Sequence, residues 1–468
     1  MITTDTNETR VEPSGEAREV LEVDDELFRD FEDLVKSRSD YLVLNIIQDL
    51  LPGDIAHILN RLGMEDASYV FGMLPNEVAS TVLLDLDEPT REHLLTNLPQ
   101  ERITEIVGEM DSDDAADVVG ELSDEKAEGV LETMNAEDSS QVEELLRYDE
   151  NTAGGLMAKE MAVVNKNDTV KAAIRVVRRF AKVQKHIYNV YVVDENGVFI
   201  GAVNLTDLLL YAPNKRMHKI MNPDYKSVTP DVDQEEVARI FSKYDIVSLP
   251  VTDTAGKLLG RITVDDVVDV MEEEHDEDMA RMVGSDTVTG GQRSPVQMAF
   301  LRLPWVMITL MLQLIAGVVV HLFDKTLSQI ILLASFMPII SAISGNTGLQ
   351  SAAMIVRGIA TGQVDTKRWW VPLRRQMIVT LIIGSACGLV LGAIAGLWHG
   401  TFLFGLVVGT SMFISINFSG LIGTATPMIS SSLGFDPAIT AGPFETAFQD
   451  IIGITVFLSL ATAMLQWL

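Results

Sequence analysis

"GPFETAFQDIIGITVF", residues 442–457, stands in the last long apolar run of a 468-residue chain. Pro437 to Ala441 precede it and apolar sequence continues to Leu468, so Asp450 falls near the middle of a segment long enough to cross a bilayer. A carboxylate at that depth costs roughly 3 kcal/mol or more unless it faces a cavity, a proton or a cation. Four more apolar segments come before it, at roughly 301–323, 328–356, 376–398 and 402–432, with 437–467 as the fifth. Each meets the requirement of about 20 residues for a spanning helix. The second and fourth contain Pro338 and Pro427, so a kink or tilt is expected in both. No Lys or Arg lies at matching depth in any span. A permeating cation or a proton must therefore serve as counter-charge to Asp450.

Other polar residues interrupt these spans. "SGNTGLQSA" puts Asn346 and Gln350 four residues apart, on one helix face, and "SINFSGLIGTATP" carries Asn417. "AGPFETAFQD" adds Gly442, Pro443, Glu445, Thr446 and Gln449. Gly, Ser and Thr in such segments serve tight helix packing. Glu445, five residues before Asp450 and on another face, either sits at a cytoplasmic vestibule or pairs with a neighbour. The loop between spans two and three holds Arg357, Lys367, Arg368, Arg374 and Arg375 against Asp365, which makes it cytoplasmic. The N-terminus is then cytoplasmic and the C-terminus outside. An odd span count makes internal symmetry awkward, and a pore between two copies of the chain resolves it.

Charge divides the chain. Acids outnumber bases by 67 to 35, yet from Ser294 onward there are 5 acids and 7 bases. A strongly acidic front is thus joined to a nearly uncharged back. Such a front repels nucleic acid and collects cations. The lone Cys387 excludes internal disulfides and a cysteine zinc cluster. The first 25 residues are polar, lack a secretory-signal pattern and read as a disordered tail.

From Leu51 to Leu146 a twelve-residue unit repeats eight times, from "LPGDIAHILNRL" to "NAEDSSQVEELL". Positions 5, 8, 9 and 12 are mostly apolar, the stripe of one helix face. Positions 1 to 3 carry helix-start residues. Each unit is one short helix, stacked on its neighbours as a superhelix. Its acidic face serves solubility or gathers cations weakly.

Two modules of about 55 residues follow, "AVVNKNDTVKAAIRVV…" and "KSVTPDVDQEEVARIF…", each reading strand, helix, strand, turn, strand, helix, with "DENG" and "DTAG" as turns. They resemble a pair of CBS domains, on the lead "TPDVDQEEV", the strand "LPVTD" and the closing "GRITVDD". That resemblance implies nucleotide binding by Thr263 and Asp266. The first copy departs from the pattern, with Asn204 and Asp207. Next comes "DDVVDVMEEEHDED", residues 265–278, with nine acids: Asp265, Asp266, Asp269, Glu272, Glu273, Glu274, Asp276, Glu277 and Asp278. Like charges at i,i+4 weaken a helix, so something positive must compensate if it folds. The alternatives are a solvated linker and a divalent-cation site. The second is favoured, because Mg²⁺ takes oxygen ligands and keeps several waters. His275 reads as a spectator. No nucleophile–base pair, phosphate-binding glycine loop or His cluster points to an enzyme.

Taken in this order, repeat, "DENTAGGLM" junction, CBS pair, acidic helix and five spans, the chain resembles the MgtE family of bacterial Mg²⁺ channels. "SGNTGLQSA" and "DPAITAGPFETAFQD" are the specific signatures, with Ser344 where the family usually has Gly. The fold class expected is multidomain: α and α+β soluble parts with an all-α membrane domain. Its parts are a tail (1–25), helical-repeat domain (26–150), CBS domains (151–213 and 214–274), acidic connecting or plug helix (275–298) and five-helix membrane domain (299–468). The resemblance implies a homodimeric Mg²⁺ channel in the bacterial inner membrane, closed by cytoplasmic Mg²⁺ bound at the acidic region, with ATP as a possible CBS ligand. Asp450 matches the family's pore aspartate, with Asn346, Asn417 and Thr446 near the path. Gly290 and Gly291 are expected to break the plug helix before span one. The rival readings are a proton- or Na⁺-coupled carrier titrating Asp450 and a membrane-anchored sensor of Mg²⁺ or nucleotide.

Overall fold

A computed structural model describes residues 24–181, 187–282 and 295–464. The described chain divides into two compact units. Residues up to Val232 with Ser248–Ile262 form one, and Asp233–Val247 with Thr263 onward form the other.

The first unit opens with α1 (Asp25–Lys36) and α2 (Asp40–Asp49). Asp24, expected in the tail, instead caps α1, accepting from the backbone N–H of Glu26 and Leu27 at 3.1 and 2.8 Å. Asp25, also expected in the tail, begins α1, and residues 1–23 lie outside the described residues. The repeat then gives one helix per unit: α3 (Pro52–Arg61), α4 (Met64–Phe71), α5 (Asn76–Leu84), α6 (Glu88–Asn97), α7 (Gln100–Val107), α8 (Ser112–Gly120), α9 (Asp124–Thr133) and α10 (Ala136–Leu145). The N-cap of every one is position 1 of its unit, from Leu51 to Asn135. Position 8 is the strictest core position. Ile58, Val70, Val82, Leu94, Ile106, Val118, Val130 and Val142 are all at most 1% exposed. Position 12, always Leu or Met, loses burial along the array, from 3% exposed at Leu62 to 41% at Leu146. Helices two units apart pack together, α3 on α5, α5 on α7, α7 on α9 and α8 on α10.

The first CBS copy supplies β1 (Val163–Asn165), α11 (Val170–Phe180), β2 (Asn189–Val193), β3 (Phe199–Asn204) and α12 (Leu205–Leu210). β1 pairs with β2 in parallel, and β2 with β3 antiparallel. The second copy gives α13 (Gln234–Tyr244), β4 (Ser248–Thr252), β5 (Leu258–Thr263) and α14 (Val264–Met282). The two turns share one chemistry. Asp194 Oδ1 accepts from the N–H of Asn196 and Val198, and Asp253 Oδ1 from Ala255 and Lys257. Gly197 and Gly256 both take φ of +81°, a conformation that glycine adopts without strain. Strands β4 and most of β5 belong to the first unit, and α13 and α14 to the second.

α14 runs unbroken across the expected boundary at 274/275, so the acidic segment continues the last CBS helix rather than starting a new one. Gly290 and Gly291 lie outside the described residues. The second unit continues with α15 (Pro295–Leu322), α16 (Asp324–Gln329), α17 (Leu333–Ala360), α18 (Trp370–His399), α19 (Phe402–Ser432), α20 (Pro437–Ala441) and α21 (Pro443–Ala463). Five stretches among them are long and apolar enough to cross a membrane. Two differ from expectation. Residues 328–332 belong to the end of α16 and the turn before α17, and the fifth span is two helices broken at Gly442. Pro443 starts α21, where a missing N–H costs nothing.

The core of this unit lies among α17, α18, α19 and α21, around Phe336, Ile340, Phe404, Met412 and Phe457. α18 and α19 pack closely because Gly388 and Gly392 face Gly409 and Gly405, leaving no space for a Cβ at the crossing.

Candidate cation sites in the membrane unit

Asp450 is half-buried on α21 and is held from two sides. Its Oδ2 accepts from Gln313 Nε2 on α15, and its Oδ1 from Ser341 Oγ on α17. Both donors are neutral. No Lys, Arg or His pairs with Asp450 among the described residues. The sequence reading singled out neither donor. Gln313 had a signal of the same kind as Asp450, an amide deep within a long apolar helix. Ser341 had none, because a serine in such a helix ordinarily bonds its own backbone.

The other pore candidates separate into three groups. Asn346 and Gln350 are exposed on α17, with Ile343, Leu349 and Met354 beside them, and form no hydrogen bond among the described residues. Thr446 is half-buried with its methyl 3.9 Å from where a Cβ on Gly345 would stand, and its hydroxyl bonds the carbonyl of Gly442 at 3.4 Å. Asn417 is turned away. Its Nδ2 donates to the Phe413 carbonyl at 2.8 Å, and its Oδ1 accepts from Thr380 of α18 at 3.2 Å. Both halves of its amide are thus engaged within the α18–α19 pair.

Glu445 pairs with a neighbour. It is 1% exposed, and its Oε1 accepts from Gln449 Nε2 at 2.8 Å. Ser344, the departure from the family pattern, is fully buried. It donates to the Ile340 and Ser341 carbonyls of its own helix, while its own carbonyl accepts from Ser419.

A second acidic site lies where α14 meets α13 and α20. Of the nine acids expected to bind ions, Asp265, Asp269, Glu272, Glu273 and Asp276 are exposed. Asp266 turns back to Thr263, accepting from its N–H at 2.9 Å and its hydroxyl at 2.8 Å. Glu274, Glu277 and Asp278 are half-buried. Glu274 accepts from Gln234 of α13 at 2.7 Å. Glu235 is exposed at its outer surface, yet desolvation of its carboxyl beside α14 pushes it up to about 7, helped by the charges of Glu274 and Asp278. Burial likewise lifts Asp278 to about 6, with Asp436 and Glu274 adding repulsion and Arg281 opposing it. Glu274 is also raised, by burial first. Arg281, the last base of α14, bonds both Glu277 and Asp436. It supplies a positive charge of the kind that the acidic run was expected to need. Glu235 and Asp436 escaped the sequence reading because each belongs to a different segment and joins the cluster only in the fold.

The end of α14 also meets the break in the fifth span. Met282 packs with Ala352, Val356, Ala438 and Ala441. Its carbonyl lies against Gly442, and any side chain at 442 would strike it. Gly442 is therefore a close-approach glycine. Among the described residues no three Asp, Glu, His or Cys side chains converge as a metal-holding group. A hydrated ion needs no such convergence, since its waters reach the outlying oxygens.

Comparison with known proteins agrees with this layout. Residues 337–460 match the model of a divalent cation transporter family, MgtE, and residues 50–151 match the MgtE intracellular N domain. Residues 153–214 and 217–273 each match the CBS domain. The magnesium transporter MgtE of Thermus thermophilus is 36% identical over 330 residues, 70% of this chain and 73% of that protein. Its counterpart in Bacillus subtilis is 32% identical over 325 residues, 69% of this chain and 72% of that one. A crystal structure of the cytosolic domain of the Mg²⁺ channel MgtE in complex with ATP superposes with a TM-score of 0.50 at 35% identity, covering 52% of this chain and all of that one.

Proposed function

The chain belongs to the MgtE family of magnesium transporters, and on that footing we propose that it is a Mg²⁺-selective channel of two identical subunits, closed by Mg²⁺ on its cytoplasmic side. The carrying observation is Asp450, a mid-span carboxylate whose partners among the described residues are the neutral donors Gln313 and Ser341. Two aimed hydrogen bonds fix where its charge points, and a passing cation completes the pairing. Mg²⁺ sheds water reluctantly, so it passes hydrated, with the carboxylate touching its waters. The exposed Asn346 and Gln350 support the dimer, because amides facing lipid are unfavourable and a second copy would cover them. Two copies of Asp450 then share one divalent ion. Each subunit sits in the bacterial inner membrane with its N-terminus cytoplasmic and its C-terminus outside. The repeat helices stack as a superhelix on the cytoplasmic side.

Closure follows from the second acidic site. Glu235, Glu274, Asp278 and Asp436 repel one another when empty and attract through a bound cation. Mg²⁺ thus favours the arrangement in which they are packed, and a ligand shifts an equilibrium only by such a preference. The exposed acids of α14 extend the cation-collecting surface. ATP is a further ligand of this reading. In the second unit the Thr263 hydroxyl and Asp266 offer the pair that a ribose takes.

Mg²⁺ flux into liposomes holding the purified protein tests this. Wild type should conduct, Asp450→Ala should fall to background, and high Mg²⁺ on the cytoplasmic face should suppress wild-type flux. Full conduction by Asp450→Ala overturns the pore role. Flux that collapses with a protonophore at fixed membrane potential makes the protein a coupled carrier, and absence of flux in the wild type makes it a sensor.

A further inference from the structure

Five residues before Asp450, the same helix carries a second carboxyl that the pore reading does not use. Glu445 is 1% exposed, and no Lys, Arg or His pairs with it among the described residues. Its surroundings are shaped around it. A Cβ built on Gly348 of α17 would collide with Glu445 Oε1, and one built on Gly423 of α19 would stand 3.1 Å from the same oxygen. Two glycines, one from each neighbouring helix, thus open a slot that the carboxyl fills. Oε1 accepts from Gln449 Nε2 at 2.8 Å, while Oε2 has no partner among the described residues. One turn on, Gln449, also 1% exposed, donates to the Ser419 carbonyl of α19 at 3.2 Å. One turn further, Gly453 lies 3.4 Å, as a Cβ, from the Ser344 hydroxyl of α17.

Residues 445, 449 and 453 share one helix face, and that face is keyed between α17 and α19. Asp450 lies on another face of α21 and takes a hydrogen bond from Ser341 of α17, two turns before Gly348. Whatever fixes α17 against α21 at Gly348 therefore fixes Ser341 against Asp450. We infer that Glu445 is a positioning residue for the Asp450 site: its carboxyl, seated between Gly348 and Gly423 and bonded to Gln449, sets the register of α21 on α17 and so the aim of the pore carboxylate. The role is one of shape and hydrogen bonding. It rests on the pore reading of Asp450 for its effect on transport, though not for its geometry.

Two readouts test it in the full-length protein. The first is the Mg²⁺ concentration giving half-maximal flux in liposomes, set against maximal flux per reconstituted protein. Glu445→Ala should raise that concentration by about tenfold, the scale seen when groups that orient a metal ligand are lost. Glu445→Gln, which keeps the shape and the acceptor, should stay within about twofold of wild type on that scale. Gly348→Ala should resemble Glu445→Ala, and Gly348→Ala with Glu445→Ala should recover part of the loss, because the added methyl occupies the space vacated by the carboxyl. The second readout is independent of flux. In a Cys387→Ser background, Ser341→Cys with Asp450→Cys should form a disulfide, since those two side chains touch. Glu445→Ala should lower its yield, and Glu445→Gln should not.

Glu445→Gln as damaging as Glu445→Ala overturns the proposal, because charge and not shape would then matter. So does Glu445→Ala with unchanged half-saturation and cross-linking, whatever its yield on purification. If Asp450→Ala conducts like wild type, the pore reading fails by itself, and the cross-link still decides the role of Glu445.

Discussion

The Asp450 site and the α13–α14–α20 junction meet the same problem, carboxylates away from bulk water, in opposite ways. In the membrane unit Asp450 is held by two neutral donors, Gln313 and Ser341. At the junction several acids crowd together, and Arg281 neutralises part of their charge. The first arrangement leaves one charge wanting at a fixed place, which suits a site that ions enter and leave. The second leaves a repulsion that is only partly relieved, which suits a surface that changes with ion concentration.

The sharpest way to break this contrast is to remove the neutral donors. Ser341→Ala and Gln313→Ala should each weaken the apparent Mg²⁺ affinity of flux by roughly 10–100-fold, as losses of groups that orient metal ligands do. They should leave the cytoplasmic Mg²⁺ concentration that halves the flux unchanged. Equal shifts in both concentrations would mean that the two sites are not separate. The mirror experiment is Arg281→Gln. With Glu277 and Asp436 no longer bridged, closing should need about tenfold more cytoplasmic Mg²⁺, within the usual range of coupling between sites. Maximal flux with the cytoplasmic face free of Mg²⁺ should not change. Closing at the wild-type concentration would assign the junction to packing alone.

A smaller effect comes from protons. The carboxyls of Glu235 and Asp278 are lifted above their ordinary values of 4.5 and 3.8, to about 7 and about 6. An acid with a raised value in the fold adds stability below its unfolded value, and loses it as pH rises through the folded one. Without Mg²⁺, lowering the pH from 8 to 6 should therefore increase hydrogen-exchange protection of α13 and α14. Mg²⁺ at pH 8 should do the same. Protection that instead rises with pH would place the burden on groups other than these acids. Smallest of all is Asn417→Ala, which leaves Thr380 with the Met377 carbonyl as its acceptor and should lower stability by about 1 kcal/mol in thermal unfolding. Half-saturation of flux should stay put. A large shift there would return Asn417 to the pore.

The repeat was legible to the residue, because helix starts and apolar spacing are local. Each unit's first position caps its helix, and the eighth is buried in every case. What the pattern did not convey was that position 12, its most uniform position, is less buried toward the end. The CBS turns were legible for the same reason, as Asp and Gly at fixed offsets make one kind of turn. The break at Gly442 was not, since glycine is common within spanning helices and its need arises from the Met282 carbonyl beside it. Asp450 announced itself by cost alone. Its partners did not, because Gln313 lies 137 residues away and Ser341 lies 109 away, and nothing local ties them to it. Glu235 and Asp436 were hidden likewise, each unremarked in its own segment until α14 brought them together.

α14 carries one more consequence. Its 19 residues form a single helix, a rod of about 28 Å. Near its start Asp266 is tied to Thr263, and at its end Arg281 reaches Asp436 while Met282 lies on Gly442. One inserted residue would turn everything after it by about 100° and advance it by about 1.5 Å. Arg281 would leave Asp436, and Ala280 would arrive in its place. The exposed acids along the rod tolerate replacement, but its length does not tolerate slippage. Between the Thr263–Asp266 pair and Gly442, the chain is under a constraint of phase more than of composition.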